Sequence, residues 1–213
     1  MKWVAPALLA LAALVLAVAW GDLPPRWPVH WGVSGQADGW ASKTLLGVFG
    51  PLVLGACIWA TIAIVTRLIA VTSPKIAEKT AVAMADALQF VQVAVALIFA
   101  MLAVWLPFGG SRSPLGVVLM ALVISGAGIV GAMLRFSKLK PTLSDMALAN
   151  DEGWNALYYR NAKDPRLWVP KRWGIGWTIN FAHRLAWPML LLCLSPALIA
   201  IVILLTVATH ASR

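Results

Sequence analysis

Five long apolar runs, roughly Trp3–Trp20, Leu45–Val65, Ala87–Phe108, Leu115–Leu134 and Leu185–Val207, dominate this chain of 213 residues. Each approaches or exceeds the ~20 residues with which a helix crosses ~30 Å of hydrocarbon. A bilayer offers the backbone no water to bond, so a spanning segment must satisfy its own N–H and C=O groups. Long continuous runs do this as helices, whereas barrel strands read as short alternating segments. The expected fold is all-α, a polytopic transmembrane helical bundle of about five spans. Composition agrees, since 61% of residues are hydrophobic and only 12% charged, far from the usage of a soluble domain.

Positive charge orients the bundle. With every run crossing, 13 of the 17 Lys and Arg fall on the side of the N-terminus, and only Arg26, Lys43, Arg112 and Arg213 on the other. That asymmetry predicts the N-terminus in the cytoplasm and the C-terminus outside. The net charge of +9 then reads mainly as a topology signal, with anionic headgroups rather than nucleic acid as its counter-charge. Lys2, the short apolar stretch after it and Ala17-Val18-Ala19 also resemble a signal peptide with its cleavage site. Trp20 directly after the cut favours retention as a helix, and in either case the segment from Gly21 is delivered outside.

That outer segment, Gly21–Lys43, carries three prolines in five positions (Pro24, Pro25, Pro28), which favour an extended path. Ser34-Gly35 and Asp38-Gly39 are turn signals, so a compact, shaped loop is expected. Trp20, Trp27, Trp31 and Trp40 suit headgroup depth, half buried and half wet. The pattern L-P-x-x-x-P-x-H-W-G-x-x-G-x-x-D-x-W-x-S-K resembles the N-terminal domain of bacterial SdpI-type membrane proteins, whose named member is an immunity protein against a secreted peptide toxin. Leu23, Pro24, Pro28, His30, Trp31, Gly32, Gly35, Asp38, Gly39, Ser42 and Lys43 carry the match. The resemblance extends to Val71 and covers the first two spans. It implies a ligand- or partner-binding set of Pro24, Pro28, His30, Trp31, Gly35, Asp38 and Lys43, in a bacterial inner membrane.

A second string, from Asp164-Pro165-Arg166 through Val169-Pro170-Lys171-Arg172 to Gly176-Trp177-Thr178-Ile179-Asn180, is similar to a short domain of unknown function near the C-terminus of other bacterial membrane proteins. Physically, aromatic residues from Trp154 to Trp187 interleave with Arg160, Lys163, Arg166, Lys171, Arg172 and Arg184. Such a segment can lie against the inner leaflet, gaining about 1 kcal/mol per basic residue near the surface. Arg166, Trp168, Lys171, Arg172, Trp173, Trp177 and Asn180 are the candidate lipid- or partner-docking residues. Simple stop-transfer anchoring of the last helix accounts for the charge equally well. Gly174-Ile175-Gly176 lacks the third glycine and the preceding strand of a dinucleotide loop.

Polar residues inside the spans are few. Asp86, Gln89 and Gln92 recur at i+3 spacing and share one helix face; a proton relay would use such a face, but interhelical hydrogen bonding is the expectation. Ala127-xxx-Gly131 and Gly128-xxx-Ala132, with Gly116 and Gly126 nearby, permit close helix contact within the chain or between copies. Cys57 and Cys193 both fall in spans and read as packing residues. There is no HExxH, GxSxG or P-loop and no Cys/His cluster at metal spacing. His30 and His210 with Asp22 or Asp38 could converge on a metal, but a loop histidine beside a tryptophan is more often a hydrogen-bonded structural residue.

These readings divide the chain into an SdpI-like region at 1–71, a central transmembrane hairpin at 72–135, an aromatic-basic interfacial segment at 136–184 and a final helix at 185–213. They predict a non-enzymatic binding, sensing or immunity-type protein without a cofactor or metal. Its expected partners are the lipid bilayer with anionic headgroups, a peptide or membrane protein, and further copies of itself. The alternative is an accessory subunit or assembly factor of a larger membrane complex.

Overall fold

Each apolar run becomes a helix in the computed structural model, which describes residues 1–72, 75–109, 114–138, 153–155, 157–171 and 177–211. The helices are α1 (Val4–Val18), α2 (Leu45–Thr72), α3 (Lys75–Phe108), α4 (Leu115–Lys138) and α5 (Ala186–Ala211). Four contain stretches long and apolar enough to cross a membrane: Leu45–Ile69 and Met84–Phe108, 25 residues each, and Leu115–Arg135 and Ala186–Thr206, 21 each. α1 has 15 residues, so it rises about 22 Å and is shorter than these four. Pro51, Pro107 and Pro196 lie inside helices, which membrane helices tolerate when neighbours re-satisfy the freed carbonyls. α2 starts sharply because the Thr44 hydroxyl accepts the Gly47 N–H at 3.0 Å, an N-cap.

The all-α expectation needs amending, because two small antiparallel sheets accompany the helices. β1 (Arg26–Trp31) pairs with β2 (Ala37–Ser42), and β3 (Trp168–Pro170) with β4 (Trp177–Ile179). The prolines do extend the chain after α1, and that extended chain finds a partner strand instead of remaining a loop.

The chain forms two compact units, one of Met1–Ala60, Gln89–Val130 and Ser195–Arg213, the other of Thr61–Leu88 and Gly131–Leu194. In the first, Ala5, Leu9, Ala12 and Leu16 repeat at i, i+4, i+7 and i+11 and bury one face of α1. They pack with Leu23, Trp27 and Ala41 of the hairpin region, Val48 and Leu52 of α2, and Ala96 and Ala103 of α3. Trp27 is only 2% exposed; it is a core residue, not the half-wet interfacial ring expected. Gly128 of α4 lies so close to α3 that a Cβ there would meet Ala94 Cβ at 2.6 Å, whereas Gly116 and Gly126 face open space. The small-residue pattern thus serves contact within the chain at Gly128.

In the second unit, Ile69 of α2 and Ala186 and Met189 of α5 form a core with Leu167, Trp168 and Ile179, against which Met84 of α3 packs. Arg135 of α4 donates to Asp86 of α3 at 3.0 Å, so the polar face of α3 makes the expected interhelical bond there. Gln92, in the first unit, is buried.

Candidate functional site

Two regions carry the residues singled out in the sequence, and they are built differently. In the hairpin, Arg26 pairs with Ser42, Trp27 with Ala41, Pro28 with Trp40, His30 with Gly39 and Trp31 with Ala37, with irregularities on both sides of His30. Val29 is therefore the extra residue on β1 and Asp38 the extra residue on β2. Such bulges re-aim side chains. Here they bring His30 Nδ1 into hydrogen-bonding contact with Asp38 Oδ1, while both stay exposed, at 71% and 53%. Gly39 must lack a side chain, since a Cβ would lie 2.7 Å from His30 Cβ. Asp38-Gly39 is consequently strand and bulge, not the turn expected.

The turn falls at the other signal. Gly32 N–H donates to the Gln36 carbonyl and Gly35 N–H to the Gly32 carbonyl, both at 2.9 Å. Gly35 has φ +77°, in the left-handed region that glycine adopts without strain. Val33, on the same tip, is fully exposed.

The rest of the motif supports this exposed face from behind. Pro28 is buried and Pro24 half-buried. Trp31 packs its ring 6.1 Å from that of Trp105 on α3. Lys43 turns back, with Nζ 5.7 Å from the Trp20 ring centroid and 3.4 Å from the Gly21 carbonyl, and Trp20 stacks on Phe49 of α2. His30, Asp38 and Gly35 are thus the motif residues left exposed, whereas Pro24, Pro28, Trp31 and Lys43 are wholly or partly buried. No cluster of three or more potential metal ligands occurs among the described residues, and the His210 side chain lies outside them.

The second region is organised by buried polar groups. Asn180 is 0% exposed. Its Nδ2 donates to the carbonyls of Asn161 at 2.9 Å, Asp164 at 3.0 Å and Arg166 at 3.3 Å. Its Oδ1 accepts from the N–H groups of Asn161 at 3.0 Å and Ala182 at 3.1 Å. One amide therefore ties β4 to the loop before β3, where Asp164 and Arg166 form a near-buried pair with contacts of 2.6 to 3.1 Å. Tyr159, also fully buried, donates its hydroxyl to Asp164 at 2.9 Å.

The pKa shifts follow from that packing. Burial works to raise the Asp164 carboxyl, but the hydrogen bonds from the Arg166 side chain and backbone and from Tyr159 outweigh it and hold the group below the ordinary carboxylate range. Burial first, and the Asp164 acceptor second, push the Tyr159 phenol up. The bond to Asp164 raises the Arg166 guanidinium.

This geometry redistributes the docking set. Arg166 is committed to Asp164, Trp168 is 7% exposed and Asn180 is enclosed, so these three build the element. Lys171 is exposed and Trp177 half-buried. Arg172 and Trp173, with Gly174 to Gly176, lie outside the described residues. Sequence reasoning missed an open cleft of about 410 Å³ lined by Tyr158, Arg160, Phe181 and Trp187. Its only sequence signal was aromatic-basic interleaving, which does not separate lining residues from core residues. His183 joins the element to α5, its Nδ1 accepting the Leu185 N–H at 3.1 Å.

Comparison with known families gives two matches, both to families of unknown function. Residues 7–56, enclosing the hairpin, match a domain of unknown function (DUF1648), and residues 162–187, enclosing β3, β4 and Asn180, match a family of unknown function (DUF5808). No curated protein and no solved structure matches the chain. The chain is an integral, multi-pass membrane protein carrying these two regions.

Proposed function

We propose that this protein is a non-enzymatic recognition protein of a bacterial inner membrane, with its N-terminus in the cytoplasm and the hairpin outside. In this reading it acts in the manner of SdpI-type proteins, and the His30–Asp38 face binds a membrane-active peptide or a partner at the outer surface. The carrying observation is that pair itself. A hairpin needs neither two bulges nor an exposed imidazole–carboxylate contact to pack on helices, and exposed ion pairs contribute only about 0 to 1 kcal/mol to stability. Two bulges and an exposed polar pair that contribute little to the fold support a role in binding.

The test is to challenge cells making the wild-type protein, His30→Gln or Asp38→Asn with membrane-active peptides at matched membrane abundance. Protection by the wild type and its loss in both variants is the expected result. Protection that survives both substitutions, or a wild type that protects against no peptide, would end this reading.

The accessory-subunit reading draws on a different observation. The spans in α4 and α5 bury only 6% of their residues within the chain, and Gly116 and Gly126 face open space, where a helix of another protein could approach closely. Purification from native membranes in mild detergent discriminates the two. A fixed set of co-purifying subunits favours the accessory role, and recovery alone or as a homo-oligomer favours recognition.

A further inference from the structure

The cleft lined by Tyr158, Arg160, Phe181 and Trp187 combines a cation, a run of packed rings and the start of a membrane helix. Tyr158 and Phe181 meet edge to face at 5.8 Å, and Phe181 and Trp187 at 6.0 Å. Trp187 is the second residue of α5 and is 64% exposed. Leu191 and Leu194, at i+4 and i+7 from it, continue the same exposed face at 60% and 47%. Arg160 lines the cleft together with the rings of Tyr158, Phe181 and Trp187. Arg166 and Arg135, in the same unit, are paired with Asp164 and Asp86, but among the described residues no carboxylate pairs with Arg160, which is exposed.

We infer that this cleft is a binding site for one anionic phospholipid. Arg160 takes the phosphate, which its planar guanidinium can bond through two N–H groups. The rings of Tyr158, Phe181 and Trp187 hold the glycerol and ester region, where aromatic side chains are half wet, and an acyl chain follows Trp187, Leu191 and Leu194. Charge complementarity selects an anionic headgroup, and continuity with a membrane-helix face selects a lipid over a soluble phosphate. This site is independent of the hairpin and of the reading proposed for it.

Native mass spectrometry of the full chain in mild detergent tests the site, with phosphatidylglycerol and phosphatidylethanolamine titrated against each other. The wild type should retain one phosphatidylglycerol in preference to phosphatidylethanolamine. Arg160→Gln should reduce that preference about fivefold, the scale of one basic residue at a membrane surface, with the melting temperature unchanged, and Arg160→Lys should recover part of it. Lys163→Gln, at an exposed neighbouring cation, should leave it intact. Equal retention of the two lipids, equal losses in the Arg160 and Lys163 variants, or displacement of the lipid by millimolar inorganic phosphate would overturn the proposal; the last would mark a soluble-phosphate site.

Discussion

The hairpin and the aromatic-basic element are both small two-stranded sheets packed on apolar cores with membrane helices, yet they place their polar pairs oppositely. The hairpin has an apolar anchor, Trp27, buried in a core with α1, α2 and α3, and leaves its polar pair, His30 and Asp38, in solvent. The element has its own apolar core around Leu167, Trp168 and Ile179, but its polar pair, Asp164 and Arg166, is the part turned inward, cross-linked by Asn180 and Tyr159. Polar groups that face solvent can meet a ligand, whereas those satisfied internally specify a shape. The difference teaches where to look for function: at the exposed pair in the first region, and in the second at the cleft beside the network.

Four substitutions or conditions would break or sharpen that contrast. Trp27→Ala removes the hairpin's anchor and should destabilise the first unit by about 3–5 kcal/mol, seen as a large fall in membrane abundance and loss of hydrogen-exchange protection in residues 26–42. Asn180→Ala strips three carbonyls and two N–H groups of their partner. It should cost at least about 3 kcal/mol and raise exchange in residues 157–171 while leaving the hairpin protected.

Acid should discriminate between the regions without mutation. Because the folded-state pKa of Asp164 is depressed, its stabilising contribution is complete above the ordinary carboxylate pKa and is lost as pH falls through the depressed value. Exchange at residues 159–166 should therefore rise on acidification below the ordinary carboxylate range, and Asp164→Asn should flatten that response. The smallest effect is expected at His30→Gln, which should change stability by less than about 1 kcal/mol because both partners are exposed.

Hydrophobic run length made the membrane helices legible, since about 20 apolar residues have few other ways to exist. The turn at Ser34-Gly35 was legible for a similar local reason. The strands were not, because a proline-rich stretch reads as extended without indicating what it pairs with. Asp38-Gly39 misled because the dipeptide that favours a turn also suits a bulge, and only the approach of His30 to within 2.7 Å of a Cβ at Gly39 decides between them. In the element, aromatic-basic composition pointed to the right stretch of chain, but the division of labour depended on pairing. Arg166 and Arg160 are both basic residues of one aromatic-basic stretch, and pairing with the near-buried Asp164 makes the first structural while the second stays accessible.

The account rests on the claim that residues three apart on one strand do different work, Trp27 holding the hairpin and His30 acting through it. Membrane abundance and peptide protection measured side by side for Trp27→Ala and His30→Gln test this directly. The account predicts that Trp27→Ala loses both together, while His30→Gln keeps wild-type abundance and loses protection. Loss of abundance in His30→Gln comparable to that in Trp27→Ala, or full protection by His30→Gln, would contradict it.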